Sequence, residues 1–172
     1  MALQEAWRFC VKCNSLFFDG YPDKGPCPGG GGHEAQGFEY TLAYDVSSSD
    51  VDQRDWRYCA KCHEMYFDGY ADKGLCPAGG GHAASGPVFT LPHSQPDDLF
   101  AQGAWRFCGK CKAMFFDGDT TKGFCPGGGA HKACACPGGG GHEAAGYVFV
   151  LPHKVAAGMA ASAAPASIPI QQ

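Results

Sequence analysis

The chain has no run of about 18 apolar residues, the length a membrane-spanning helix needs. Charge of one sign is not concentrated anywhere either. Lys and Arg number 13 against 17 Asp and Glu, a formal net charge of −4. An acidic chain without a basic cluster is a poor candidate for gripping a phosphate backbone, so nucleic acid is not an expected partner. No H-E-x-x-H, G-x-S-x-G or P-loop pattern occurs. The opening Met1-Ala2-Leu3-Gln4-Glu5-Ala6 has neither a charged n-region nor an apolar h-region. The expectation is a cytoplasmic protein, where thiols stay reduced, although export by another route would look the same.

What the chain does have is 11 Cys, 7 His, 26 Gly and 13% aromatic residues, arranged with a period. Trp7, Trp56 and Trp105 are 49 residues apart. The same step relates Cys10, Cys59 and Cys108; Cys13, Cys62 and Cys111; Cys27, Cys76 and Cys125; and His33, His82 and His131. In each copy the spacing is C-x2-C-x13-C-x5-H. Two Cys on one turn and a Cys and a His on a second supply the four tetrahedral N/S donors that zinc prefers. Three zinc ions per chain are therefore expected.

Other uses of the cysteines fit less well. Three Cys per unit cannot pair among themselves, whereas three Cys and one His complete a zinc shell. Nothing reads as a thioredoxin-like βαβ unit around the C-x-x-C pairs. Cys59-Ala60-Lys61-Cys62-His63 matches the haem-attachment pattern, but Asn14 and Lys112 stand where His63 does. Nine ionised thiols and three divalent ions would take the formal charge from −4 to −7.

The expected fold is small, all-β and metal-stabilised: three tandem zinc-ribbon-like units of short antiparallel strands. The units are 5–44, 54–93 and 103–153, followed by an Ala/Pro-rich tail over 154–172. Units this small bury little apolar surface, and metal binding becomes folding free energy when no site exists in the unfolded chain. In the first unit the predicted strands are Trp7–Cys10, Leu16–Phe18 and Gly37–Leu42. The Gly29–Gly32 run permits positive φ and close wrapping around an ion. Arg8, Arg57 and Arg106 sit between aromatic neighbours, which face the other way on a strand. A structural place for them is preferred over a binding face, and a turn role suffices for Asp19, Asp68 and Asp117. The linkers Asp45–Asp50 and Ser94–Asp98 are polar and matched in length. A linear or compact row of units is expected, with closure about a pseudo-threefold axis, as in trefoil folds, as the alternative.

The third unit contains an 11-residue internal duplication: Cys136-Pro137 through His142 repeats Cys125-Pro126 through His131. A 13-residue loop from Cys111 to Cys125 costs roughly 0.5 kcal/mol less closure entropy than the longer loop to Cys136. Cys125 and His131 are the predicted ligands; Cys136, His142 and Cys134 are left without a role. His93 and His153, in two Leu-Pro-His triplets, are given a surface or capping role because Tyr44 replaces them in the first unit.

The motifs Trp-Arg-aromatic-Cys-x-Lys-Cys, aromatic-Phe-Asp-Gly, Lys-Gly-x-Cys-Pro and Gly-Gly-x-His resemble a tandem Cys-rich, zinc-ribbon-like repeat of bacterial and fungal proteins of largely unassigned role. The likeness covers about residues 5–153. It implies a module used in arrays, often as an accessory part, and adds no catalytic residues. A full N/S shell leaves no open position for water, and three thiolates blunt Lewis acidity. The expected function is a non-catalytic binding module for a glycan, a cell-surface polymer or a protein. Aromatic density and the loop residues Tyr21 and Tyr70 support it. The alternative is an assembly subunit that docks on copies of itself or on a protein partner.

Overall fold

A computed structural model describes residues 2–131 and 147–154. Cys134, Cys136, His142 and the tail beyond Lys154 lie outside the described residues. There are nine strands and no helix among the described residues: β1 (Ala2–Cys10), β2 (Leu16–Phe18), β3 (Ala35–Tyr44), β4 (Asp52–Cys59), β5 (Met65–Phe67), β6 (Ala84–Pro92), β7 (Ala101–Phe107), β8 (Met114–Phe116) and β9 (Phe149–Pro152). The fold is all-β and antiparallel, with three strands from each repeat. In each repeat the first strand is central, as in the orders β2-β1-β3 and β8-β7-β9.

The first strand of each unit is longer than predicted. Ala2, Leu3 and Gln4 pair with Tyr44, Ala43 and Leu42, beyond a register shift that falls just before Trp7. The same shift precedes Trp56 and Trp105. Ala6, Asp55 and Ala104 absorb it with φ of 73°, 75° and 68°. A bulge of this kind re-aims the following side chain, here a Trp that is wholly buried. Each indole N–H donates to a glutamine three residues back, Gln4, Gln53 or Gln102, at 2.9–3.1 Å. The Gln residues share the 49-residue period and mark the strand extension in the sequence.

The units do not form a row. They close into a ring around one shared core. Trp7 meets Phe89 of the second repeat at 5.4 Å between ring centroids, Trp56 meets Phe149 of the third at 5.2 Å, and Trp105 meets Tyr40 of the first at 5.3 Å, all edge to face. Strand ends follow the same cycle, with Tyr44 paired to Phe89, His93 to Phe149 and His153 to Tyr40. On the metal side, the backbone N–H groups of Phe18, Phe67 and Phe116 donate to the carbonyls of His63, Lys112 and Asn14. The row expected from the matched linkers is thus replaced by pseudo-threefold closure. A three-strand unit exposes too much apolar edge to stand alone, and the neighbour's third strand covers it. Most of the aromatic residues are therefore core.

Arg8, Arg57 and Arg106 are half-buried and structural. Arg8 Nε and Nη2 donate to the carbonyls of Phe38 and Gly37, and Arg57 does the same to Pro87 and Gly86. The Asp of each Asp-Gly turn lies between this Arg and the Lys of the Lys-Gly pair, as in Lys24–Asp19 at 2.9 Å and Arg8–Asp19 at 3.8 Å. Lys24 also holds the carbonyls of Asp19 and Tyr21. The recurring Arg, Asp and Lys fix the path of the loop between the two metal turns.

His93 and His153 are inter-repeat joints, not surface caps. His93 stacks on Tyr147 at 3.6 Å and His153 on Phe38 at 3.7 Å, each within 9° of parallel. Burial lowers both imidazoles below the ordinary value, against weaker opposing contributions. The fold therefore disfavours their protonation, and as pH falls below about 6.5 the unfolded chain takes up protons first. Their contribution to stability is complete above that value and is lost as pH falls from there through the lower folded values. A His93→Tyr/His153→Tyr variant, copying Tyr44 of the first repeat, should show a smaller drop in melting temperature than the parent chain between about pH 7 and about pH 5.5. Thermal unfolding at both pH values, with excess metal, measures it.

Candidate metal centre

Each repeat brings its four expected donors together. Cys10, Cys13, Cys27 and His33 form one group, Cys59, Cys62, Cys76 and His82 a second, and Cys108, Cys111, Cys125 and His131 a third. Within each group all donor atoms lie within 4.8 Å of one another, and every residue is buried.

Local backbone explains the convergence. The C-x-x-C pair sits on a tight knuckle in which Asn14 N–H donates to the carbonyl of Cys10 and Cys10 N–H to the carbonyl of Ser15. The residue after the second Cys is left-handed: Asn14, His63 and Lys112 have φ of 67°, 71° and 70°. His63 occupies that backbone position, which accounts for the incidental haem-like pattern. On the second turn Cys27 N–H donates to Gly31 and Gly30 N–H to Cys27. Gly30 and Gly31 have φ of 104° and 65°, conformations that side chains rarely adopt.

The dimensions are those of a tetrahedral metal shell. Sγ–Sγ distances are 3.8 Å for Cys10–Cys27 and 3.9 Å for both Cys59–Cys76 and Cys108–Cys125. Sγ to His Nδ1 is 3.5 Å in every repeat. A tetrahedron with metal–sulfur bonds of about 2.3 Å has S–S edges of about 3.8 Å and S–N edges of about 3.5 Å. A disulfide needs sulfurs about 2.05 Å apart, so these cysteines are unpaired. The three groups are thus candidate structural metal sites, with a donor set that fits zinc.

The surroundings favour thiolate at the first Cys of each knuckle, Cys10, Cys59 and Cys108. Glu34 N–H and Gly29 N–H approach Cys10 and Cys27 Sγ at 3.4 and 3.3 Å, and Ala83 and Ala78 do the same for Cys59 and Cys76. Hydrogen bonds from Cys13 and Cys27 hold the Cys10 thiol well below its usual range, whereas burial pushes Cys13 well above it. Burial alone would lower His33, but its contacts with Cys10 and Cys27 outweigh it and lift the imidazole to about 10. His82 is likewise raised to about 10 and His131 to about 9. A divalent ion must displace the protons of these groups to bind.

The outer nitrogen of each His reaches into the next repeat. His33 Nε2 is 3.1 Å from the carbonyl of Cys62, and His82 Nε2 is 3.0 Å from that of Cys111. His131 Nε2 is 3.3 Å from Ser15 Oγ. With the metal on Nδ1, Nε2 carries the proton and donates. Gly25, Gly74 and Gly123 allow the close approach: a Cβ there would lie 2.4, 2.2 and 2.1 Å from the carbonyl oxygens of Cys62, Cys111 and Cys13. Their recurrence after Lys24, Lys73 and Lys122 is the sequence signal for this contact.

Compared with known proteins, the chain matches no family model, no curated protein and no solved structure. Fold and site alone therefore define its class: a closed, all-β tandem repeat with three buried groups of three Cys and one His that could each hold a metal ion. No helix among the described residues is long and apolar enough to cross a membrane.

Two outcomes follow. A Cys136→Ala/His142→Ala variant should still bind three metals per chain, whereas Cys125→Ala/His131→Ala should bind two; native mass spectrometry counts them. Gly74→Ala combines strain at φ +78° with an impossible approach to the Cys111 carbonyl. It should cost at least about 2 kcal/mol, read as the shift in thermal or denaturant midpoint of the metal-saturated protein.

Proposed function

We propose that the protein is a non-catalytic binding module in which three zinc ions hold the ring closed and the surface between repeats meets the partner. The observation that carries this reading is the completeness of each site. Three Cys and one His, all buried, fill a tetrahedral shell and leave no position for a reacting water. The reading includes a reducing compartment, in which the thiols survive. It includes neither nucleic acid nor an enzymatic role.

The proposed partner is a glycan or cell-surface polymer, and the proposed contact is Tyr21. Its ring is 51% exposed at the boundary between the first two repeats. Phe18 buttresses it at 5.3 Å, with Tyr58 and His63 of the second repeat beside it. A rigid, open aromatic face of this kind suits stacking on a sugar. Tyr70, at the matching place in the second repeat, is half-buried against Phe107, and the Lys112 ammonium lies 5.5 Å from its ring centre. Asp119 stands at the third. Recognition is thus assigned to Tyr21 ahead of Tyr70.

The assembly reading has its own support in Leu99 and Phe100, adjacent and 76% and 61% exposed in the turn before β7. A glycan array decides between them. Binding that disappears in Tyr21→Ala, and survives in Tyr70→Ala, supports the module reading. An empty array, together with association that rises with concentration and weakens in Phe100→Ser, supports assembly.

A further inference from the structure

The three metal sites share one donor set but have different neighbours across the repeat boundary. The residue two places after the second knuckle Cys is Ser15 in the first repeat, Glu64 in the second and Ala113 in the third. All three are wholly buried, at the point where the repeats meet. Bridges there join Phe17 to Glu64, Tyr66 to Ala113 and Phe115 to Ser15, in the same cycle as the rest of the ring. Each of these residues belongs to the repeat that receives the outer nitrogen of the preceding repeat's His.

His33 therefore faces Glu64, with Nε2 3.5 Å from Oε2 and both side chains wholly buried. The Cys62 carbonyl is the nearer acceptor for Nε2, at 3.1 Å, and Glu64 lies beside it as a buried ion-pair contact with no hydrogen bond of its own among the described residues. His131 faces the Ser15 hydroxyl at 3.3 Å. His82 faces Ala113 and has the Cys111 carbonyl at 3.0 Å; the charge of Glu64 reaches His82 and His131 too, but its ion-pair contact is with His33 alone among the three. A carboxylate beside the outer N–H of a metal-bound imidazole orients the ring and raises the basicity of the ligating nitrogen. Such partners change metal affinity by about 10–100-fold.

We propose that Glu64 is a positioning residue that makes the first-repeat site the tightest of the three. The first-repeat metal is then the last to leave, because only His33 has a carboxyl group in contact with its outer nitrogen. This rests on the reading of the clusters as metal sites. Natural use of Ser and Ala at the equivalent positions means that Glu64→Ala and Glu64→Ser introduce nothing the fold does not already hold.

The experiment uses the whole zinc-loaded chain and a graded series of chelator concentrations. Metal count is followed by native mass spectrometry, and the emptied site is identified by alkylation of its thiols and peptide mapping. In the parent protein Cys10, Cys13 and Cys27 should be the last to react. Glu64→Ala should bring first-repeat thiols to reactivity at least about tenfold earlier in chelator concentration. Glu64→Gln, which keeps an acceptor, should restore part of that lead. A merely structural role for Glu64 would shift all three sites together, and that result overturns the proposal. So does equal retention in the parent protein. A chain that binds no metal at all overturns the metal reading instead.

Discussion

Everything in this molecule depends on three units sharing one hydrophobic core that none could build alone. Each repeat contributes a three-strand sheet whose Trp is sealed by an aromatic residue of the next repeat. Edge-to-face pairs add about 0.5–1.5 kcal/mol beyond area burial, but the larger gain is the removal of apolar edges from water. Closure of the ring gives every repeat such a neighbour. In an open row the last unit would have none.

Metal sites and core divide the work by position. The core lies where the strands converge, and the metal turns lie at their other ends, beyond Cys10, Cys59 and Cys108. At the metal turns the donor Cys pack in small clusters of their own around Phe17, Tyr66 or Phe115, and each ligand His stacks on that ring at 4.6–5.0 Å. The outer nitrogens of His33 and His82 then tie each cluster to a carbonyl of the next cluster's own ligand. The two kinds of cohesion, aromatic at one end and coordinative at the other, run around the ring in the same direction.

The donor sets and the short strands were legible because they depend on local spacing. A 49-residue step that never slips identifies equivalent positions, and tetrahedral chemistry limits what three Cys and one His can do. Closure was not legible, since contacts such as Trp7 with Phe89 and His153 with Phe38 span 82 and 115 residues. The stacked histidines were misread for a related reason. Tyr44 replaces them in the first repeat, and an imidazole and a phenol ring make the same edge-to-face contact with the next repeat without sharing metal chemistry. Likewise the aromatic abundance, taken as a sign of ligand binding, is mostly the lining of a common interior. The Arg-Asp-Lys set was visible as motif, but its role as a brace for the loop needed the coordinates.

The ion contacts of Lys154 carry one more implication. Its ammonium lies 2.9 Å from Glu5 and 3.3 Å from Glu39, and its N–H donates to the Glu39 carbonyl. The two boundaries of the ring thus meet at a single spot. A short peptide could span Glu5 and Lys154 and the backbone be severed instead in the Asp45–Asp50 link, with every neighbour relation unchanged. Such geometry makes the order of the repeats along the polypeptide a matter of genetic history, while the order around the circle is a matter of physics.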